Sequence, residues 1–519
     1  MNRRDFLKNS IYTSLLYGAG GLPSFVPQAS AAPAPLQNNL LVNVTLDGGP
    51  DCRHFIVPEY DSDTSSFAYQ YWSNRTRTHR TGDNPAAWAE RWSQYYYPIT
   101  IDSPGTPNHN VTFGIWNEAG WLIDMFEQGN VAIICNAVGG LNRAHDHSTL
   151  ILNQGDLTAG SQDFEHSGWG GRLARVANSN IVSVSRAPSG FCFGPSGNSP
   201  TLDHYHIDNR DLLSIPDTRA VGLHGFDPEI EQYTSSSQRM ARSLAGYYDS
   251  LRAQQVSDLY DKAQSHEQKI RLFGDLINER IDFAENEFIR ALYSNSGHGI
   301  NLDQGGTPRR ILNFGQFGRE IRNLADCIAC NDLLNMRVAS MAYGNWDSHA
   351  EQTVIPDGSS DFNDPELERG IENNVKDLFG GPYGTLSNGR PNDLHSGFSA
   401  LWQSLSQSDK DRMVITLAGE FGRQIKDNGD NGTDHGSGNI MFVIGEAVNG
   451  GVYGEMFPEA EIDRYENGGF TPEITGLTQI DRIFAPVCDW VVPGAGDIVF
   501  PNHANADLEA GVSLDNLFA

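Results

Sequence analysis

The sequence predicts an α/β fold, a mostly parallel sheet with helices on both faces, and three observations predict it. Five short β-branched or apolar runs, at residues 40–46, 131–135, 337–343, 414–417 and 440–444, alternate with stretches of helical periodicity. Four of these runs give way at their carboxyl ends to Gly-rich turns that carry Asp, Glu or His. Apolar residues make up 39% of the chain, enough to give most of its 519 residues one large core.

The chain opens with Asn2-Arg3-Arg4-Asp5-Phe6-Leu7-Lys8, an apolar run from Ile11 to Val26, and Ala29-Ser30-Ala31. A paired Arg, a short apolar segment and a small-x-small cleavage site make an export signal of twin-arginine type. Gly18, Gly20, Gly21 and Pro23 interrupt the run, which is shorter than the ~20 residues of a membrane-spanning helix. The expected organisation is a signal at 1–31, removed after Ala31, and a single domain at 32–519. The mature protein is then periplasmic or extracellular, with the twin-arginine translocase as its partner during export and no stable membrane insertion. The net charge of −29 argues against nucleic acid as a partner.

The run 40–46 reads as the first strand and ends in Asp47-Gly48-Gly49-Pro50-Asp51-Cys52-Arg53-His54. Residues 67–97 are dense in aromatics (Tyr69, Tyr71, Trp72, Trp88, Trp92, Tyr95, Tyr96, Tyr97), which suits a lid packed on the core, with a sugar-stacking platform as the alternative. A helix over 116–128 precedes the strand 131–135. That strand runs into Gly139-Gly140-Leu141-Asn142-Arg143-Ala144-His145-Asp146-His147-Ser148, which opens another helix. Stripes such as Phe273, Ile277, Ile281, Ala284, Phe288 and Leu292 predict a helical insertion around 228–295. Cys327 and Cys330 form a C-x-x-C within a helical pattern at 317–334; a structural role is expected, with a redox pair as the alternative. The strand 337–343 ends in Gly344-Asn345-Trp346-Asp347-Ser348-His349. After a loop at 352–365 and helices around 366–379 and 394–408 comes the strand 414–417, then Glu420 and Arg423. The following stretch is too rich in Gly, Asn and Asp for helix or strand, and delivers Asp434 and His435 between Gly432 and Gly436.

In a parallel sheet the carboxyl ends of the strands share one edge, so Asp47, Asp51, His145, His147, Asp347, His349, Glu420, Asp434 and His435 are expected to converge there. The mixture of imidazole and carboxylate suits a divalent metal, zinc or manganese rather than magnesium or calcium, and the number of donors leaves room for one or two ions. Arg143 and Arg423 sit in the same loops and could grip phosphate or sulfate, or pair with Glu420 or Asp51 instead.

The motifs L-D-G-G-P-D-C-R-H (46–54), N-R-A-H-D-H-S (142–148), G-N-W-D-S-H (344–349), G-E-F-G-R (419–423) and G-T-D-H-G (432–436), together with the twin-arginine start, resemble the bacterial exported family called domain of unknown function 1501. That resemblance implies the alkaline phosphatase and sulfatase superfamily, hence an alkaline-phosphatase-like three-layer α/β/α sandwich with a divalent-metal site at the sheet's carboxyl edge. It carries over Asp51, Asp347, His349, Glu420, Asp434 and His435 as metal-site residues, with Asp47 where a first-strand carboxylate ligand is expected. Ala144 stands where the family commonly has Ser, so the nucleophile falls to Ser148, Thr149 or a water; N-capping is the plainer role for Ser148.

The expected activity is hydrolysis of an anionic ester, phosphate before sulfate. Asp47, Asp51, Asp347, His349, Glu420, Asp434 and His435 would form the metal site, Arg143 and Arg423 would orient the anion, and His145 or His147 would act as ligand or general acid. The competing expectation is a non-catalytic, metal-stabilised protein that binds polysaccharide through its aromatic stretch.

Overall fold

The computed structural model describes residues 36–160, 163–164, 166–195, 207–208, 211–216, 218, 316–350, 352–353, 371–380, 397–461 and 473–519. The signal at 1–31, the helical insertion around 228–295 and most of the loop at 352–365 lie outside the described residues.

In chain order the strands are β1 (Leu40–Leu46), β2 (Ile56–Pro58), β3 (Tyr96–Thr100), β4 (Thr112–Trp116), β5 (Val131–Val138), β6 (Asn180–Ser183), β7 (Gly194–Pro195) and β8 (Ile207–Asp208). They continue with β9 (Leu212–Ser214), β10 (Met336–Tyr343), β11 (Met413–Ala418), β12 (Gly422–Asp427), β13 (Thr433–Gly436), β14 (Asn439–Ile444), β15 (Gly451–Tyr453) and β16 (Thr478–Gln479). Nine of them form one sheet in the order β15-β5-β14-β11-β1-β10-β6-β9, with β16 also on β5. All pairings in it are parallel except those of β14 with its two neighbours, so β14 alone runs against the rest. The expected mostly parallel sheet is present, with one reversed strand inside it.

Alternate residues of the central strands feed two separate apolar cores. Leu40, Val42, Val44 and Leu46 of β1 join Trp121, Ile321, Val375 and Phe398 on one face, whereas Leu41 joins Ile151, Leu173, Ile483 and Val487 on the other. Helices therefore cover both faces, as a sheet apolar on both sides requires. Because a one-residue slip would leave a strand of this kind still apolar on either side, burial cannot set its register alone. A row of polar residues supplies what burial lacks. Ser214, Ser183, Ser340, Asn43 and Thr416 are partners in turn across β9, β6, β10, β1 and β11, and the Thr416 hydroxyl donates to Asn43 Oδ1 at 3.0 Å. Slipping one strand would strand these groups opposite apolar neighbours.

The aromatic stretch is core, as the packing reading expected. Tyr71, Trp72, Trp88 and Tyr96 are buried, and Tyr69, Trp92, Tyr95 and Tyr97 pack against them. Cys327 and Cys330 form no disulfide and are buried in the same core.

One expectation is corrected. The Gly- and Asn-rich stretch after β11 is not a loop throughout: β12 and β13 pair antiparallel as a hairpin, Arg423 opposite His435. Glycine makes the pairing possible, since a Cβ at Gly436 would lie 2.7 Å from the Arg423 backbone. Asp434 and His435 therefore sit on a strand, with their backbones fixed by a ladder.

Candidate metal centre

β1, β5, β10 and β11 all end at one edge of the sheet, and the β12–β13 hairpin, inserted between β11 and β14, folds over that same edge. Each element delivers part of the site. The turn after β5 leads into the helix His145–Gln154, the chain after β10 carries Asp347 and His349, and β13 carries His435. The turn after β1 must pass tightly beneath them. Gly48 has φ +121°, and a Cβ there would lie 2.2 Å from the Asp347 backbone nitrogen.

The donor atoms converge closely. Asp347 Oδ1 lies 3.0 Å from His349 Nε2 and 3.1 Å from His435 Nε2, while Asp347 Oδ2 lies 3.4 Å from His145 Nε2. The Nε2 atoms of His349 and His435 face each other at 2.9 Å. Donor atoms of His145, Asp347 and His435 all fall within 4.8 Å of one another, the one such grouping among the described residues.

The other nitrogen of each ring decides the protonation. His145 Nδ1 lies 2.7 Å from Glu420 Oε1, His349 Nδ1 3.3 Å from Asp434 Oδ1, and His435 Nδ1 2.9 Å from the Arg143 carbonyl. These oxygens only accept, so each Nδ1 is the protonated nitrogen and donates. A neutral ring that donates from Nδ1 turns a bare lone pair inward on Nε2. Burial pushes the His435 imidazole below its ordinary value, against the hydrogen bonds to the Arg143 carbonyl and Asp347, which raise it. His145 Nε2 is buried with no hydrogen-bond partner. Three Nε2 atoms and a carboxylate thus meet at one point of the sheet edge.

Arg423 fixes the carboxylate. Its side chain is fully buried. It donates to Asp347 Oδ1 at 2.6 Å and to the carbonyls of Gly48 (2.5 Å), Gly49 (2.7 Å), Thr433 (2.9 Å) and Trp346 (3.3 Å). Burial would raise the Asp347 carboxyl, but the Arg423 hydrogen bond and charge outweigh it and hold the group at about 2. Asp47 sits in the opposite situation: burial and the charge of Glu420 push it up to about 6, against a smaller pull from His145. Glu420 itself is buried and also accepts from the Gly48 N–H at 3.0 Å.

Of the residues expected from the sequence, the structure brings His145, Asp347, His349 and His435 together as donors. Glu420 and Asp434 lie one layer out, holding rings, and Asp47 flanks Glu420 and His145. Asp51 is not at the cluster. It forms a buried bidentate pair with Arg75 at 2.6 and 3.1 Å, and Arg75 also holds the Gln424 and Ile425 carbonyls of β12. A distant arginine that no motif announced has claimed that carboxylate. His147 also lies outside the donor set, its Nε2 on the Ala159 carbonyl at 2.9 Å and its Nδ1 against Asn142 at 2.7 Å. Ser148 is buried and donates to the Asn142 carbonyl at 2.8 Å, a local staple. Arg143 pairs with Glu473, and Arg423 pairs with Asp347; the partners foreseen for them, Glu420 and Asp51, are taken by His145 and Arg75. The sequence offered no sign of the backbone carbonyl that orients His435, because carbonyls carry no motif.

Residues 232–467 match the family model described as "Protein of unknown function (DUF1501)", which supports the family resemblance carried by the motifs. The matched span includes Asp347, His349, Glu420, Arg423, Asp434 and His435, and leaves His145 outside it. Comparison with curated proteins and with solved structures gives no match. Among the described residues no helix is long and apolar enough to cross a membrane.

Proposed function

We propose that this chain is a metal-dependent hydrolase, exported by the twin-arginine route, with one divalent ion held by His145, His349, His435 and Asp347 in an α/β/α sandwich of the alkaline phosphatase and sulfatase kind. The observation that carries the reading is the convergence of three imidazole Nε2 atoms on one carboxylate while each Nδ1 faces an oxygen acceptor, an arrangement that a cation stabilises. Among Asp347 Oδ1, His349 Nε2 and His435 Nε2 the separations are 2.9–3.1 Å, close to the roughly 3.3 Å edge of a tetrahedron with metal–ligand bonds of ~2.0–2.1 Å, and His145 Nε2 lies 3.4 Å from the other Asp347 oxygen. Nitrogen-rich donors favour zinc or a neighbouring transition metal over magnesium or calcium.

Bound there, the ion would act as a Lewis acid on the scissile group. Glu420, Asp434 and the Arg143 carbonyl hold the ring protons on Nδ1, so that Nε2 stays free. Arg423 holds Asp347 ionised. The side chains of Asp347 and His349 are 46% and 45% exposed, so the centre opens to solvent on one side, as a catalytic site does and a closed structural site does not. The polysaccharide-binding alternative draws on an aromatic stretch of which Tyr71, Trp72, Trp88 and Tyr96 are buried in the core and Tyr69, Trp92, Tyr95 and Tyr97 are half-buried against it.

Metal analysis of the purified protein tests the reading, followed by hydrolysis of chromogenic esters by the wild type and by His435→Ala. One equivalent of zinc or manganese, with metal and turnover lost together in the variant, is the expected result. A protein that binds no divalent ion would end the proposal.

A further inference from the structure

Resting on the metal-centre reading, we infer that the substrate is a neutral acyl compound, a carboxylic ester or amide with an apolar group, and not the phosphate or sulfate ester that the sequence suggests. The inference comes from what surrounds the three imidazoles. Arg423 is fully buried and engaged with Asp347 and four backbone carbonyls, so it has no face to offer a substrate. Arg143 is tied to Glu473 across the mouth. Asp47, Asp347, Glu420 and Asp434 gather around the donors, against the single buried guanidinium of Arg423. Even a divalent ion leaves such a site net negative, and a dianion entering it meets like charge.

The flanks point the same way. Leu141 and Leu477 are two of the four exposed large apolar side chains among the described residues. They lie on the two loops that the Arg143–Glu473 pair ties together, Leu141 two residues before Arg143 and Leu477 four after Glu473. Phe421, itself buried, backs the rings of His145 and His435, with centroids 4.9 and 4.4 Å apart, so the floor behind the imidazoles is apolar. Leu141 and Leu477 give an apolar tail exposed surface on these two loops, while a phosphate would have to compete for arginines already engaged.

The reaction is hydrolysis and needs only water. Its oxygen bonds to the carbonyl carbon, the bond to the alcohol or amine breaks, one proton goes to that leaving group, and the acid is released.

Cobalt-substituted protein provides the test, because its visible absorption reports the occupied centre without relying on turnover. The expectation is metal-dependent hydrolysis of 4-nitrophenyl butyrate, no faster hydrolysis of 4-nitrophenyl phosphate, and a cobalt spectrum that inorganic phosphate shifts only at millimolar concentrations. Glu473→Gln frees Arg143 and should tighten phosphate by about tenfold, roughly the effect of one charge-assisted hydrogen bond. Leu141→Asp should raise KM for the butyrate and leave the cobalt spectrum unchanged. Micromolar phosphate binding, preference for the aryl phosphate, or failure to hydrolyse the butyrate while cobalt is bound would each overturn the inference and leave the metal centre standing. Absence of bound cobalt would instead remove the reading beneath it.

Discussion

Two histidine clusters in this molecule use similar residues to opposite ends. At the sheet edge, His145, His349 and His435 meet carboxylates and an arginine. Deeper in the fold, His54 and His79 stack with ring centroids 4.6 Å apart, beside Glu372, Arg91 and Tyr71. In the buried cluster the protons are allotted. The Tyr71 hydroxyl donates to the Arg53 carbonyl at 2.5 Å and accepts from His79 Nε2 at 2.9 Å, while His79 Nδ1 accepts from Arg91 Nε at 3.2 Å. His54 Nε2 donates to Glu372 at 3.3 Å, and Arg91 meets the same carboxylate at 2.5 Å. Donors face acceptors there except at His54 Nδ1, which is buried with no hydrogen-bond partner, a single nitrogen and not a converging set. At the sheet edge each outer Nδ1 faces an oxygen, and three Nε2 atoms turn inward on one carboxylate. Residue types alone do not separate a structural network from a ligand set; the count of protons does.

The largest expected effect comes from breaking the buried member of this comparison. Glu372→Ala leaves Arg91 charged and unpaired in the core, and should cost about 3–5 kcal/mol in urea unfolding. The same truncation at the exposed Asp434 should move stability by less than ~0.5 kcal/mol. A cost below ~1 kcal/mol for Glu372→Ala would mean that the buried network is not the closed system described. Next, His435→Ala should weaken zinc by more than ~100-fold in a chelator competition, beyond the ~10–100-fold of losing a ring-orienting partner. The metal-free variant should unfold within ~0.5 kcal/mol of wild type. Third, acid should bear most heavily on the buried cluster, where His54 and His79 are both held low, although His435 at the sheet edge is lowered too. Burial pushes His79 well below the ordinary 6.5 and lowers His54 as well. A folded state that refuses protons the unfolded chain accepts loses stability as pH falls below about 6.5, by ~1.4 kcal/mol per pH unit for each such histidine. The metal-free protein should follow that slope, and His79→Gln should remove about one histidine's share of it.

The sequence made the sheet and its edge legible because both rest on short-range pattern. Each strand is a compact apolar run, and each turn carries its polar group within a few residues of the strand end. The reversal of β14 was not legible, since strand direction depends on pairing with β11 and β5 across the sheet. At the site, donor residues could be named from turn composition, but their layering could not. Asp51 and Asp347 both follow a strand in a Gly-containing motif, and they differ only in the arginine that reaches them: Arg75, from a loop 24 residues on, against Arg423, from the hairpin. Which guanidinium meets which carboxylate is set by tertiary packing and leaves no trace in spacing. The hairpin at β12–β13 was missed because Gly, Asn and Asp have low strand propensity, whereas the Arg423 and His435 pairing supplies the ladder locally.

The smallest effect tests the layering itself. Glu420→Gln keeps an oxygen for the His145 Nδ1–H and for the Gly48 N–H but removes the charge. If Glu420 only orients His145, zinc affinity should fall by about tenfold, the cost of an altered outer partner, with one equivalent still bound. Asp47, raised in part by the Glu420 charge, should then titrate closer to an ordinary carboxylate, which carboxyl-carbon NMR would follow. A loss comparable to that of His435→Ala would make Glu420 a ligand in its own right. The contrast between inner acceptors and outer holders would then have to be redrawn around a carboxylate that reaches the ion directly.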